Sequence, residues 1–463
     1  MKTPILTLTT LSAIGLTGCV NLAPEYQRGP LPVPVDLPVE SPSATDVEPM
    51  RWRDVIISEA LQQAINTALT ENRDLQVTAA NVRAARANFL VSRASLWPDI
   101  GISSAIQAGD TFENGAAGQQ RFQDSAYAQL GVTSWELDFF GRLQNLSDAA
   151  LQTYLASEEG ERAAKISLVG AVAETWMQLA ADRELLKLAN RTADSQSESL
   201  NLTRELFDAG TASELDVRRA SASVSRAQAQ AAQYEAIVRR DVNAMQRLVG
   251  APLPASLLEE ARLFPAPVKF NLPIGQSSQI LLERPDVRAA EARLKAFNAN
   301  IGSARAAYFP SISLTGGAGY ASAELSDLLN GNGSGGWTFG PTIQLPIFDF
   351  GRRQGNLGAA RADADAALAR YQSSIQQAFR EVADAVAVSE TIERRLMALE
   401  QLTGDTQVTF ELSGERFRSG LDGYLTVLDA QREYYNAEQQ WILASLENNL
   451  NSIALYKAIG TWE

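Results

Sequence analysis

An internal duplication constrains the fold of this 463-residue chain more than any other feature. Matching residues stand 212 positions apart early in the chain and 210 positions apart later. A repeat of this length is a duplicated, domain-sized half and not the unit of a solenoid. The matched pairs are Asp74-Leu75 with Asp286-Val287, Trp97-Pro98 with Phe309-Pro310, Phe140-Gly141-Arg142 with Phe350-Gly351-Arg352, Phe207 with Phe417, Gly210 with Gly420, Leu215 with Leu425, and Val249-Gly250 with Ile459-Gly460.

Each half is predicted to have the same order of elements: a helix, two short strands, one very long helix, a tight turn and another long helix. Proline is absent from Asp99 to Ala251 and after Pro346, which favours long uninterrupted helices. The segment from Arg142 to Asp208 is rich in Ala, Leu, Glu, Gln and Arg, which are good helix formers. One helix over this segment would be roughly 100 Å long, at 1.5 Å per residue.

Apolar residues in these long segments recur at steps of three and four, the spacing of helices that pack side by side. They are Ile166, Val169, Ala173, Trp176 and Ala180 in the first half, and Ile375, Phe379, Val382 and Val386 in the second.

Four short segments alternate with period two and predict strands. Apolar or small residues occupy one face, and small or polar residues occupy the other, a pattern typical of membrane β-barrels. A soluble antiparallel sheet with one buried face is the alternative. Four strands cannot close a barrel, and lipid does not tolerate open sheet edges, so the membrane interpretation predicts a trimer with twelve strands. The apolar positions are Ile100, Ile102, Ile106, Ala128, Leu130, Val132, Ile312, Leu314, Gly316, Ala318, Tyr320, Trp337, Phe339, Ile343 and Leu345.

The N-terminus has the pattern of a cleaved bacterial signal peptide. Lys2 precedes an apolar run from Ile5 to Leu16, which is too short to span a bilayer as a helix. The sequence Leu16-Thr17-Gly18-Cys19 resembles a lipobox, and Cys19 is the only cysteine in the chain. We therefore expect Cys19 to carry a covalent N-acyl chain and an S-diacylglycerol. Val20 replaces the Asp that signals inner-membrane retention, which favours the outer membrane; an ordinary signal peptide is the alternative.

The composition excludes several classes of function. The net charge of −14 argues against nucleic-acid binding, and the absence of histidine removes His-based catalysis and His-ligated metal sites. No later segment has eighteen consecutive apolar residues, so no transmembrane helix is predicted. Asp349-Phe350-Gly351 spells a kinase metal-binding triplet, but its repeat partner is Phe139-Phe140-Gly141 and no His-Arg-Asp loop exists. We expect no enzyme, no metal and no cofactor other than the lipid.

Several motifs resemble the outer-membrane factors of tripartite efflux pumps, the TolC/OprM family, and most closely its lipidated OprM-like branch. The similarity extends from about Leu61 to Gly460. It implies a homotrimer with a β-barrel in the outer membrane and a helical barrel in the periplasm. The resemblance also implies that this duct passively conducts drugs, while a membrane-fusion adaptor and an inner-membrane RND pump supply substrate and energy. The motifs are Glu283-Arg284-Pro285-Asp286-Val287, residues 300–314, Leu345-Pro346-Ile347-Phe348, residues 416–420 and residues 424–431.

The resemblance also implies the positions of two sites. Leu425, Asp429, Arg416 and Phe417 match a gate at the periplasmic end, although relatives often have a tyrosine at position 417 whose hydroxyl helps to lock the tip. Asp208 and Asp216 are the candidate partners of Arg416. The turns that would contact the adaptor contain Gly210, Gly420, Leu206 and Leu421. Without the resemblance, the glycines would be simple helix caps, Leu425 a core residue and Asp429 a solvated one.

The resulting domain organisation is a signal peptide over 1–18, a lipidated proline-rich tether over 19–50, repeats over 51–250 and 285–463, and an equatorial linker over 251–284. The leading hypothesis for function is the outer-membrane channel of a multidrug efflux system. Two alternatives remain: the duct of a type I protein secretion system, and a structural periplasmic lipoprotein without a pore.

Overall fold

The computed structural model describes residues 20–37, 51–107, 125–269, 277–322 and 325–459. The predicted signal peptide over 1–18 and Cys19 lie outside these ranges. The described residues form the helices α1 Trp52–Val55, α2 Glu59–Glu71, α3 Arg73–Ala94, α4 Arg142–Asp208, α5 Glu214–Val249, α6 Ala255–Glu259, α7 Pro285–Ala306, α8 Leu325–Leu329, α9 Arg352–Arg418 and α10 Tyr424–Ile459, a 3-10 helix Ser278–Glu283, and the strands β1 Ile100–Gln107, β2 Ser125–Leu137, β3 Ser311–Ser322 and β4 Ser334–Gln344.

The two halves repeat one order of elements, as the sequence predicts. The first half has α3, β1, β2, α4 and α5; the second has α7, β3, β4, α9 and α10, with the short helix α8 between its two strands. The long helices α4 and α9 each contain 67 residues, and α5 and α10 each contain 36. Helix α4 begins and ends at the predicted residues. No described helix combines the length and apolar character needed to cross a bilayer.

By compactness, the chain divides into two units, and each unit takes segments from both repeats. Of the described residues, unit 1 contains those within 1–30, 81–158 and 289–371, and unit 2 contains those within 31–80, 159–288 and 372–463. Unit 1 holds the four strands, while unit 2 holds the larger hydrophobic core and both turns between long helices.

The core of unit 2 confirms the predicted steps of three and four. Ile166, Val169, Ala173, Trp176 and Ala180 are all at most 5 % exposed and belong to one cluster. Helix α2 closes this core with Leu61 and Ile65, and its Ser58 cap accepts a hydrogen bond from the Leu61 N–H. In the second half Ile375, Val382 and Val386 are buried, and Phe379 is half-buried.

The four strands form one antiparallel sheet in the order β1-β2-β3-β4. Its cross-strand rows confirm the predicted faces. One row joins Ile102, Leu130, Ala318 and Trp337, and the next joins Ile100, Val132, Gly316 and Phe339. The alternate face contains the row Gly101, Gly131, Gly317 and Thr338. Pro341 pairs with Leu314 and lies in β4, the last strand of the sheet within this chain, which is the kind of strand where proline is found.

The proline-rich N-terminal segment differs from the free tether that its composition predicts. Residues 20–37 are largely without regular structure, but they are not detached from the fold. The Val20 N–H donates to the Phe139 carbonyl at 3.1 Å, and the Asn298 amide donates to the Pro24 carbonyl at 2.6 Å. Of the remaining tether, residues 38–50 lie outside the described ranges.

Candidate functional site

Two tight turns form the candidate site, and both belong to unit 2. One joins α4 to α5, and the other joins α9 to α10. Their backbone hydrogen bonds repeat at an offset of 210 residues. Thr211 N–H donates to the Leu206 carbonyl at 2.8 Å, and Leu421 N–H donates to the Arg416 carbonyl at 2.9 Å. This six-to-one bond satisfies a carbonyl at the helix end.

Glycine is required in both turns because the backbone there is left-handed. Gly210 has φ 77° and Gly420 has φ 72°. A Cβ at either position would meet no atom within 4 Å, so a larger residue would be strained by its backbone and not by a collision. The glycines therefore do cap their helices, and they leave open space around the turn.

The two turns differ in how they start the next helix. Ser213 caps α5, and its side chain forms a capping box with Asp216. The Ser213 hydroxyl lowers the pKa of Asp216. Gly423 stands at the matching position before α10 and has no side chain to cap with. The tip of the second repeat therefore depends on other contacts.

One such contact is a bidentate ion pair between Arg416 and Asp422. Arg416 Nε lies 2.6 Å from Asp422 Oδ2, and Nη2 lies 3.0 Å from Oδ1. The guanidinium holds the pKa of Asp422 below its ordinary value. This corrects the expected partners of Arg416, Asp208 and Asp216, because Asp422 comes within reach through the turn of the same repeat.

Phe417 is a core residue of the tip. It is 8 % exposed and packs with Leu200, Ala220, Tyr424, Val427 and Leu428 in a small hydrophobic cluster, termed the tip cluster. Its ring centroid lies 6.0 Å from that of Tyr424. Phe207, the matching residue of the first repeat, is 43 % exposed. Of the residues expected to contact an adaptor, Leu206 is half-buried against the cluster, whereas Leu421 is 68 % exposed.

Leu425 and Asp429 lie one turn apart on the exposed face of α10. Leu425 is 50 % exposed, so it is not a core residue of this chain, and the Asp429 side chain is 63 % exposed. The nearest cation to Asp429 is Arg432, with 3.6 Å between Nη1 and Oδ1. Leu215 and Arg219 occupy the matching positions of the first repeat, so the charges at Asp429 and Arg219 are opposite.

Sequence reasoning missed a buried polar cluster on the opposite face of α10. The Tyr424 hydroxyl donates to Gln196 Oε1 at 3.1 Å, and the Gln196 amide donates to Gln431 Oε1. All three side chains are at most 5 % exposed. The seven-residue spacing of Tyr424 and Gln431, both beside apolar Leu428, is the one signal that indicated a shared buried face.

The contacts of α10 hold one face of the helix in place and leave Leu425 and Asp429 free to line a narrow opening. Helix α10 presents Leu425 and Asp429 outward, while Tyr424, Leu428 and Gln431 tie its other face to α4 and the tip cluster. Within the ranges that the structure describes, no group of carboxylates or thiols is placed to hold a metal ion.

The sequence matches the family described as outer membrane efflux protein twice, over residues 64–251 and 277–461. The toluene efflux pump outer membrane protein TtgF of Pseudomonas putida is 41 % identical, over 99 % of this chain and 97 % of that protein. The probable outer membrane lipoprotein SilC of Salmonella typhimurium is 35 % identical, over 99 % of this chain and 98 % of that protein.

Solved structures agree with the sequence matches. The fold is similar to that of CusC, with a TM-score of 0.85, 33 % identity, and coverage of 95 % of this chain and 99 % of that chain. It is also similar to the open state of the Neisseria gonorrhoeae MtrE outer membrane channel, with a TM-score of 0.84, 32 % identity, and coverage of 96 % and 98 %. The chain therefore belongs to the outer membrane efflux protein family and is an efflux channel of the outer membrane.

Proposed function

We propose that this channel is the outer-membrane duct of a tripartite RND-type system, which passively carries small toxic compounds from the periplasm to the exterior without catalysis. Its relatives include a toluene efflux protein and the solvent efflux pump outer membrane protein SrpC, both of Pseudomonas putida. Small apolar solvents are therefore the first substrate class to test, followed by amphiphilic drugs.

The sheet of unit 1 is the observation that carries this proposal. Among the described residues, β1 and β4 each pair on one side only, so both edges of the sheet are open. Trp337, Phe339 and Ile343 of β4 are 79 %, 65 % and 68 % exposed. Open edges and exposed apolar rows are unfavourable unless further strands and lipid cover them. Three copies would contribute twelve strands and close a barrel.

The tips support a periplasmic docking site for a membrane-fusion adaptor. Gly210, Gly420 and the exposed Leu421 present uncharged surface at the turns, beside the Arg416–Asp422 ion pair, whose two charges balance each other. A helix that approaches these three residues would desolvate little unbalanced charge. Leu206 supports the turn from inside, because its side chain packs on the tip cluster.

Lipidation at Cys19 completes the proposal. The motif before Cys19, the single cysteine of the chain and the name of the relative SilC support an acylated mature N-terminus. Two or more acyl chains hold a protein at a membrane far more firmly than one.

Conductance across a planar lipid bilayer separates a duct from a structural lipoprotein. Reconstituted protein should give discrete channel openings, and native mass spectrometry should give the mass of three acylated chains. A trimer without conductance would favour the structural lipoprotein, while a monomer in membranes would refute the closure of the sheet by three copies.

Copurification from native membranes separates efflux from type I protein secretion. We expect a periplasmic adaptor together with an inner-membrane RND pump. Recovery of an ABC exporter and a secreted protein substrate in their place would support the secretion duct.

A further inference from the structure

The segment that follows the lipidation site lies along one helix of unit 1. Residues 20–28, termed the strap, form neither helix nor strand and contact α7 at successive points. The Arg305 guanidinium donates to the Leu22 carbonyl at 3.0 Å, and the Asn298 amide donates to the Pro24 carbonyl at 2.6 Å. Farther along, the Tyr26 hydroxyl donates to Glu291 at 2.9 Å.

The contacted residues of α7 form a single stripe. Glu291, Lys295, Asn298, Gly302 and Arg305 follow one another at steps of three or four, which place them on one helical face. The strap and the helix also match in length. Six steps of extended chain from Leu22 to Arg28 span about 20 Å, and fourteen helical steps from Arg305 to Glu291 rise about 21 Å. The strap therefore runs antiparallel to α7 in register.

Glu291 is the point at which the strap is held most firmly. This carboxylate is 7 % exposed, and both of its oxygens accept from Arg28, each at 2.9 Å. Lys295 Nζ lies 3.5 Å from Glu291 Oε2 and 5.1 Å from the centroid of the Tyr26 ring. The hydrogen bonds from Arg28 and Tyr26 lower the pKa of Glu291 against the opposing effect of burial. Without the strap, this buried carboxylate would keep Lys295 as its cation.

The other end of the strap lies close to two glycines: a larger residue would collide with it at position 302 and would be tightly packed against it at position 141. A Cβ on Gly302 would lie 2.7 Å from the Ala23 nitrogen, and one on Gly141 would lie 3.3 Å from Asn21 Cα. Val20 N–H reaches the Phe139 carbonyl, at the junction of β2 and α4. Hydrogen bonds, charge and shape thus all fit the same extended segment.

We propose that the α7 stripe is a binding site for the mature N-terminal segment and that Glu291 is its positioning residue. The acyl chains attach one residue before Val20, and Val20 is hydrogen-bonded to Phe139, just after the end of β2. A docked strap therefore holds the lipid anchor close to the end of β2. The strap then sets the depth of unit 1 at the membrane instead of tethering it loosely. This consequence for the anchor rests on the proposed lipidation of Cys19.

A spin label on the strap tests this proposal in the full-length protein in lipid nanodiscs. Cys19 is the only native cysteine, so Glu25→Cys adds one labelling position on an exposed residue of the strap. We expect motionally restricted spectra from the otherwise wild-type protein and fast motion after Glu291→Ala. Trypsin should also cleave after Arg28 at least about tenfold faster in Glu291→Ala, because the bonds that restrain local opening are lost.

Two further variants keep the test decisive. Arg28→Ala lies on the strap, leaves α7 intact, and should release the label as Glu291→Ala does. Arg293→Ala, an exposed residue on another face of α7, should leave the label restricted. A label that is mobile in the wild type, or restricted in both Glu291→Ala and Arg28→Ala, would overturn the proposal. Conductance is measured on the same protein preparations reconstituted in planar bilayers; its absence would count against the duct, whatever the label shows.

Discussion

Tyr424 and Gln196 are joined by a hydrogen bond buried between α10 and α4, with the Tyr424 hydroxyl 3.1 Å from Gln196 Oε1. Tyr424 is 4 % exposed and Gln196 is 5 % exposed. The resemblance to efflux channels suggested a lock built on a tyrosine at position 417, where this chain has Phe417. Here the buried hydroxyl comes from a residue seven positions later and ties two long helices of the same chain together.

The first prediction concerns this bond. Tyr424→Phe should lower the free energy of unfolding by about 1–3 kcal/mol, because Gln196 Oε1 would lose a donor in a buried place. Thermal unfolding of the purified protein, followed by helical circular dichroism, measures the change. Tyr320→Phe is the control, since Tyr320 is 61 % exposed on β3. Equal stability of Tyr424→Phe and the control would contradict a stabilising role.

The second prediction concerns pH. Burial and the neighbouring Asp182 carboxylate raise the pKa of Asp241 to about 7 from 3.8, while Arg240 opposes this rise. The folded chain therefore keeps a proton that the unfolded chain releases, and stability falls as pH rises from about 4 to about 7. Asp241→Asn should remove this part of the pH dependence and be relatively more stable at high pH.

Thermal unfolding of wild type and Asp241→Asn at both ends of that pH range tests the sign of the effect. Asp363→Asn, on an exposed position of α9, controls for the loss of one charge. A stability difference between wild type and Asp241→Asn that does not change with pH would rule out the raised pKa of Asp241.

The third prediction concerns the tips. Replacing Gly210 and Gly420 with Trp forces a side chain into left-handed backbone, which costs about 1–2 kcal/mol per residue. We expect drug efflux to fail while the trimer and its amount in the outer membrane stay normal. Gly404→Trp, on an exposed position of α9 with no atom within 4 Å of an added Cβ, is a control outside the turns and the sheet. Unchanged drug resistance with both tip glycines replaced would refute adaptor docking there.

The fourth prediction concerns the anchor. Cys19→Ala should abolish acylation and processing at that site while the channel can still insert. Mass spectrometry of the mature N-terminus measures this directly. An unmodified Cys19 in the wild-type protein would disprove the anchor without bearing on the pore.

Much of the fold was predictable because it follows from local periodicity and duplication. The bounds of α4, the glycine turns and the two faces of the sheet depend on residues close in sequence or matched by the repeat. The sequence could not predict that Phe417 is buried while Phe207 is exposed, because both have the same position in the repeat and differ only in their tertiary neighbours.

The missed contacts share one cause: the partners are brought together by the turn or by the fold and not by a helical period. Arg416 meets Asp422 six residues later only because the chain reverses between them. Arg28 meets Glu291 across 263 positions, and proline-rich composition alone predicts a free tether there. The buried partner of such a segment can be identified only from the three-dimensional structure.

The gate remains the central claim about mechanism. In a trimer, one Leu425 and one Asp429 per chain would form an apolar ring and a ring of like charge around the axis. Two unit charges 8 Å apart repel by about 0.5 kcal/mol in water and by more where the dielectric constant is lower. Within the described part of the chain, Arg416 is paired with Asp422, and Arg432 Nη1 lies 3.6 Å from Asp429 Oδ1. An acidic ring should favour cations over anions.

Single-channel conductance in planar bilayers, for wild type and for Leu425→Ala with Asp429→Ala, tests this claim most directly. The double variant should have higher resting conductance and weaker cation preference. Leu215→Ala with Arg219→Ala changes the matching positions of the first repeat and should leave the conductance close to that of the wild type. Equal conductance and equal ion selectivity of the wild type and the Leu425–Asp429 double variant would contradict the gate and place the constriction elsewhere.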